Sequence, residues 1–261
     1  MKRTGVFWSW LWMIIGILYF FLPLLATFLF SLRAVKDAVT IKAYENLFAD
    51  PKFLSSFQAS VIWALLTIIL GIVIFFPTAY WVRLRVPAAR PAVELVTLLP
   101  FIIPGIVYVF GLVRTYSHPP LLIVNSPALL VAGYTILSMP YMYRAIDTGL
   151  RAIDVRTLTE AAQSLGANWG TVLFRIIFPN IRVALLSGAF LSFAIVLGEY
   201  VLAQYLAKPA FGPYIALLIE NKAYEPAAAT IISFALIWAA MGLIDLLGRG
   251  RSGSASLAGG R

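Results

Sequence analysis

The 261-residue chain has no cysteine and a single histidine, His118. That excludes a disulfide framework, thiolate chemistry and any metal site built from cysteine or clustered histidine. Charge is scarce as well. Only 12% of residues are charged, about half the share of a soluble globular chain. No GxxxxGK[ST] phosphate loop occurs, so the chain lacks that machinery for hydrolysing ATP. Nor do the apolar stretches hold clustered nucleophile and base side chains, which argues against a membrane-embedded enzyme.

What remains is apolar. Hydrophobic residues make up 61% of the sequence and the mean hydropathy is +0.90, which indicates an all-α integral membrane protein. A spanning helix needs about 20 apolar residues. Six runs qualify, near 6–32, 54–82, 91–113, 126–143, 183–207 and 226–247. Lys2 and Arg3 precede the first run as in a signal peptide, but the run is too long for one and lacks a clear cleavage site, so it reads as an uncleaved anchor. Residues 1–248 thus form one transmembrane domain, and 249–261, rich in Gly and Ser, reads as a disordered tail.

The net charge of +9 could point to nucleic acid, but the basic residues lie between apolar runs and form no dense block. Membrane topology accounts for them better. With the N-terminus inside, thirteen of the twenty Lys and Arg fall on the inner side and seven on the outer. This bias places both termini in the cytoplasm, and with them the segment 150–182. Pro23, Pro77, Pro100, Pro104 and Pro140 fall within spans, where each kinks or interrupts the helix. The third span, LLPFIIPGIVYVFG (98–111), is either a packed kink or a wall of a pathway that must bend.

The segment 150–182 is the longest stretch without a membrane-length run. Leu150, Ile153, Leu158, Ala161, Ala162 and Leu165 recur at three- and four-residue steps, which makes one apolar helix face. Gly166 breaks the pattern, and Asn168 is placed to cap a second helix striped by Val172, Leu173, Ile176 and Ile177 and ended by Pro179. A helix, a glycine bend and a helix against the membrane must rest on lipid or dock in a partner. Glu160 stands three residues after Thr157, so a capping box is one reading and a partner contact the other.

Glu160, Ala161, Ala162, Gly166, Ile176 and Pro179 stand at the spacing of the EAA signature, so this segment resembles that of bacterial ABC-importer permeases. The one departure is Phe178 where leucine is usual. The stretch LRAIDVRTLTEAAQSLGANWGTVLFRIIFPN (150–180) is similar to the spermidine/putrescine-type permeases, and the six-span layout fits that group over nearly the whole chain. The resemblance implies a type I ABC importer permease fold in the bacterial inner membrane. In it Glu160, Ala161, Ala162, Leu165, Gly166, Ala167, Asn168, Ile176 and Pro179 belong to a coupling element docked on a cytoplasmic ATPase. It further implies an ATPase dimer that binds the ATP, a second and heterologous permease subunit, and an extracytoplasmic solute-binding protein. The chain itself then needs no cofactor or metal. A polyamine is the solute implied, with aminophosphonate, ferric iron, thiamine or oxyanions as the alternatives.

Glu199 lies deep in the fifth run, in VLGEYVLAQYL (196–206). A charge there costs about 2.5–3.5 kcal/mol on insertion scales, so it faces the bundle interior or a cavity. Three roles stay open: a structural hydrogen bond, a pathway residue near a cationic solute, or packing against a partner permease. The LGEY stretch also resembles fifth spans of sulfate- and molybdate-type permeases, so Glu199 does not by itself argue for a cation. Tyr200, Tyr108 and Tyr134 join it as candidate pathway residues. Glu94 and Asp245 read as interfacial, paired with Arg90 and Arg249, and His118 as a solvated loop residue. An ion-coupled secondary transporter would need more titratable groups in the bundle and an internal repeat, which the sequence does not display.

Overall fold

The computed structural model describes residues 3–36 and 38–249, and among them the chain is helical, with no strand beyond an isolated bridge at Val35 and Ala38. The tail beyond Arg249 and the side chain of Asp245 lie outside the described residues. The chain divides into two compact units, one formed by residues 1–54 with 214–238, the other by 55–213 with the remainder from 239.

In the first unit, α1 (Arg3–Ser31) is apolar on every side. Its apolar window has none of its residues buried within the chain. The short α2 (Lys42–Ala49) buries Ala43 and Leu47. Tyr44 and Ser31 share a hydroxyl hydrogen bond of 2.8 Å, and Asn46 donates to Glu225 at 3.0 Å. The Tyr214 hydroxyl donates to Asp50 at 3.0 Å. These polar side chains are thus paired with one another inside the unit.

The second unit is built around α6 (Pro127–Arg151). Ser126 caps it by accepting the Ala128 N–H at 3.2 Å, and Pro127 fills the first turn, where its missing N–H costs nothing. Thirteen residues of α6 are buried. Among them Thr135 and Ser138 return their hydroxyls to the carbonyls of Val131 and Thr135 at 2.8 and 3.1 Å, so the polar groups are satisfied inside the helix. One end of α6 packs Leu129, Leu130 and Tyr134 with Ala64, Val109, Val196 and Leu202. The other end packs Met142, Tyr143, Ile146 and Leu150 with Phe76, Tyr80, Ile177 and Leu185.

Against α6 lies α10 (Arg182–Gly198), and small residues set the approach. Ala145 and Gly149 on α6 and Ala184 and Gly188 on α10 each form a small-xxx-small pair, in antiparallel register. A Cβ on Gly149 would meet that of Ala184 at 2.6 Å, and one on Gly188 would meet that of Ala145 at 3.1 Å and the Met142 sulfur at 2.8 Å. Helices in lipid associate through such close packing, because apolar surface alone gives no drive there.

Among the described residues three helices are long and apolar enough to cross a membrane: Trp8–Ser31 within α1, α3 (Pro51–Arg85) and Glu225–Gly242 within α13 (Glu225–Arg249), which follows the shorter α12 (Phe211–Asn221). Two bent pairs meet the same test. One joins Pro87–Ile102 to α5 (Gly105–Tyr116) across a bend of 101°, and the other joins Trp169–Asn180 to α10 across 78°. α4 (Arg90–Ile102) carries most of the first pair, and the expected third span is therefore no straight helix. Ile103 is extended, as the residue before a proline prefers to be, and Pro104 offers no N–H to continue the ladder. The expected fifth span is also interrupted, at Glu199 and Tyr200, before the single turn of α11 (Val201–Tyr205). α6 is long enough to span but too polar to count with the others; Thr135, Ser138 and Asp147 are turned inward, while Arg144, Thr148 and Arg151 are exposed.

The α6–α10 contact makes a direct prediction. Gly149→Leu forces the helices apart and should cost about 1–3 kcal/mol, the usual price of overpacking, seen as a lower melting temperature in detergent. Gly111→Ala, where a Cβ meets nothing within 4 Å, should leave the melting temperature unchanged.

Candidate functional site

The segment expected to couple folds as a helix pair. α7 (Val155–Ser164) begins at Asp154, whose carboxylate accepts the Thr157 N–H at 3.1 Å and its hydroxyl at 2.8 Å. The Thr157–Glu160 capping box is therefore corrected: Asp154 takes the cap, and Glu160 turns to Arg156 at 2.9 Å on the exposed surface. Both were acceptors near the helix start, and the one at the N-cap position wins because only its carboxylate reaches the free amides. The Thr157 bonds hold the Asp154 carboxyl below its ordinary range. A depressed carboxyl stabilises above its unfolded pKa, so the cap is intact at neutral pH and weakens only as acid approaches the lowered value.

The buried face of α7 is Val155, Thr159 and Ala162, one step around the helix from the expected stripe. The Thr159 hydroxyl shares a buried hydrogen bond of 2.9 Å with Tyr80 on α3. Thr159 hides its polarity in that bond, so the hydrophobic pattern misreads the face. Ala161 and Leu165, both expected on the apolar face, are exposed, Leu165 to 89%.

Gly166 closes α7 with φ +82°. The Ala167 N–H donates to Ala162 O at 3.0 Å and the Gly166 N–H to Gln163 O at 2.9 Å, the paired bonds of a Schellman turn. A Cβ on Gly166 would meet nothing within 4 Å, so within this chain the backbone conformation, not crowding, calls for glycine. Asn168 then caps the second helix, accepting the Thr171 N–H at 2.8 Å, as the sequence indicates. That helix runs as α8 (Trp169–Thr171), a π turn (Val172–Ile177) and α9 (Phe178–Asn180). Pro179 does not end it at once. The wide turn lies just ahead, where the proline ring would press on the carbonyl of Arg175, and the chain bends after Ile181.

Val172, Leu173 and Ile177 are buried against the spans, with Ile176 and Ala167 half-buried. Trp169 packs on Trp81 with ring centres 4.8 Å apart and planes tilted by 51°, beneath the Arg85 guanidinium at 5.6 Å. Glu160, Ala161, Leu165, Gly166, Asn168 and Pro179 face outward. The segment is thus a packed knob seated on α3 and α6, with an exposed apolar tip at Leu165.

Beside the knob lies a cluster that the sequence reading did not single out. Asp147 on α6, largely buried, accepts from Arg151 at 2.6 Å and Arg90 at 3.2 Å, with Arg83 at 4.0 Å. Glu94 joins Arg90 at 3.0 Å, the expected pair, and Arg151 at 3.1 Å. The network ties the ends of α3, α4 and α6 together. Beyond the Arg90–Glu94 pair, only the Asp147–Arg151 spacing of four was legible in the sequence, since the other contacts join distant helices.

At the opposite end of α6 the four candidate pathway residues are close in the fold. Both Glu199 oxygens accept the Leu202 N–H, at 2.9 and 3.0 Å, and one lies 3.4 Å from the Ala203 N–H. In an unbroken helix those amides would bond Gly198 and Glu199 carbonyls, so the carboxylate is what stops the ladder. Tyr108 donates to Gly133 O at 3.3 Å. The Tyr134 hydroxyl is buried beside Glu199 without a hydrogen bond of good geometry, and Tyr200 is exposed. Among the described residues no group of three His, Cys, Asp or Glu could hold a metal.

With this geometry in hand, known proteins offer a comparison. The family described as binding-protein-dependent transport system inner membrane component matches residues 87–252. The putative ferric transport system permease protein FbpB 1 of Haemophilus influenzae is 29% identical over 167 residues, 61% of this chain and 26% of that one. The spermidine/putrescine transport system permease protein PotB of the same organism is 26% identical over 188 residues, covering 64% of this chain and 63% of that one. The chain therefore spans about a quarter of the first relative and under two thirds of the second. The molybdate/tungstate transport system permease protein WtpB of Pyrococcus furiosus is 25% identical, with 84% and 88% covered. Among solved structures, a bacterial ABC transporter involved in the import of the acidic polysaccharide alginate matches with a TM-score of 0.72 over 96% of this chain and 97% of that one. Its 16% identity speaks for the fold alone.

Two variants test the site. Gly166→Val, forced into a left-handed conformation, should cost about 1–2 kcal/mol, whereas Gly166→Asn should be nearly neutral, both read as melting temperatures. Asp147→Asn leaves three arginines under-compensated. The expected loss is about 2 kcal/mol, below the ~3–5 of a fully buried pair, because Arg83 and Arg151 are 30% and 51% exposed.

Proposed function

The chain belongs to the binding-protein-dependent transport system inner membrane component family, and we propose from that premise that it lines a solute pathway driven by a separate cytoplasmic ATPase that grips the α7–α8 turn. The exposed Leu165 tip, on a knob locked to the spans, carries this reading. A chain without a phosphate loop must take its energy from elsewhere. A rigid knob delivers an external push to α3 and α6, while a floppy loop would absorb it.

The spans are α1, α3, the α4–α5 pair, α6, α10 with α11, and α13, with both termini and the knob on the cytoplasmic side, in accord with the Lys and Arg bias. The partners proposed are an ATPase dimer, a second and heterologous permease subunit, and an external solute-binding protein. Closure of the ATPases on ATP drives the knobs together and turns the pathway outward. The likeness of residues 150–180 to spermidine/putrescine-type permeases supports a polyamine as the solute. Ferric iron, thiamine, an aminophosphonate or an oxyanion is the alternative. Glu199, Tyr200, Tyr108 and Tyr134 mark the pathway wall. Ion-coupled transport is the less favoured reading, because Glu199 is the one acid deep in the spans among the described residues.

The test uses the absence of native cysteine. Leu165→Cys gives the chain a unique thiol, which should cross-link to the ATPase subunit in a nucleotide-dependent manner. Leu165→Asp should weaken ATPase copurification at least ~10-fold, since burying a leucine is worth about 1.5–3 kcal/mol. A thiol that reacts only with lipid-borne reagents, with copurification unchanged, would overturn the docking assignment.

A further inference from the structure

The two interrupted spans meet at their interruptions. A Cβ on Gly105, the first residue of α5, would sit 3.8 Å from the Cβ of Val201, the first residue of α11. Beyond that point α5 and α11 continue together, with Phe110 against Tyr205 at 5.2 Å. Irregular backbone at membrane depth persists only where protein covers it or a cavity accepts it. Two breaks brought together are therefore one feature of the bundle.

The two are held differently. Proline chemistry breaks α4–α5 at Ile103 and Pro104, and no side chain caps α5. A carboxylate breaks α10–α11, with both Glu199 oxygens within hydrogen-bond distance of α11 amides. The chain after α11 then folds back. Ala207 adopts φ 53°, the Lys208 N–H bonds Ala203 O at 2.9 Å, and Gly212 packs so tightly on the Glu199 carbonyl that no Cβ would fit. The side chain and the main chain of Glu199 are thus both engaged by protein, and the adjacent Tyr200 is left exposed.

We infer that the paired breaks form one joint of the solute pathway and that Glu199 is its pin: a positioning residue that sets Val201 beside Gly105 by capping α11, rather than a counter-ion for the solute. The inference rests on the permease reading for the word pathway, but the geometry it asserts does not. What the pin needs is an acceptor of the right length, not a charge. The side-chain amide oxygen of a Glu199→Gln variant reaches the same N–H groups, whereas a Glu199→Ala variant has nothing to offer them.

The joint can be read without knowing the solute. In the purified transporter, Gly105→Cys with Val201→Cys introduces the only two thiols of the chain, at a Cβ separation suited to a disulfide. Mild oxidation should bridge them. The bridging rate with Glu199→Gln should stay within about 3-fold of the parent, and with Glu199→Ala should fall about 10-fold, the upper value of an ordinary hydrogen bond. Equal rates in all three would remove the pin, and a Gln variant as slow as the Ala variant would show that charge, not capping, matters. If Glu199→Ala lowers the melting temperature, the completed bridge should restore it; a bridge that restores nothing also overturns the proposal. Trapping the complex with ATP and vanadate should change the parent's bridging rate at least ~3-fold if the joint moves in the cycle. Failure of that arm alone strikes the permease mechanism and leaves the local geometry standing.

Discussion

The close approach of α6 and α10 governs the rest of the molecule. Two short-sided seams, Ala145 with Gly149 and Ala184 with Gly188, let the backbones come nearer than ordinary side chains allow. In a lipid solvent that proximity is where dispersion contacts accumulate. Both candidate sites are hung from this pair. α6 carries Asp147 and Leu150 beside the knob at one end and Tyr134 beside Glu199 at the other. α10 leaves the knob at Ile181 and ends at Glu199. The knob and the paired breaks are thus joined by two helices packed in one register.

Polar groups in so apolar a chain follow one rule, that each finds a partner inside the protein. Thr135, Ser138 and Ser192 bond carbonyls of their own helices. Asp147 gathers arginines from three helices, and Glu199 gathers amides. The hydroxyls of Thr67 and Tyr134 depart from it, buried with no hydrogen-bond partner among the described residues. Tyr134 does so beside Glu199.

Local chemistry was legible in the sequence, and long-range pairing was not. Gly166 and Asn168 announce the turn because a left-handed residue and an N-cap leave few choices of side chain. Pro104 announces the first break for the same reason. The second break has no such herald. Glu199 looks like a lone charge at membrane depth until Leu202 and Ala203 are seen bonded to it. The face of α7 was misphased because Thr159, a polar residue, is buried by its bond to Tyr80, while Leu165 is left outside. Asp147 went unnoticed since its partners Arg83 and Arg90 lie some sixty residues away in the chain, a distance that no periodicity spans.

The Schellman turn at Gly166 has a consequence for assembly. Its bonds come from the chain's own backbone, and its supports, Thr159 on Tyr80 and Trp169 on Trp81, come from the chain's own spans. The element is held by contacts within its own chain, so a subunit docking as proposed above orders no loop and forfeits little entropy. Association of that kind would be preorganised, leaving the element intact through release and rebinding.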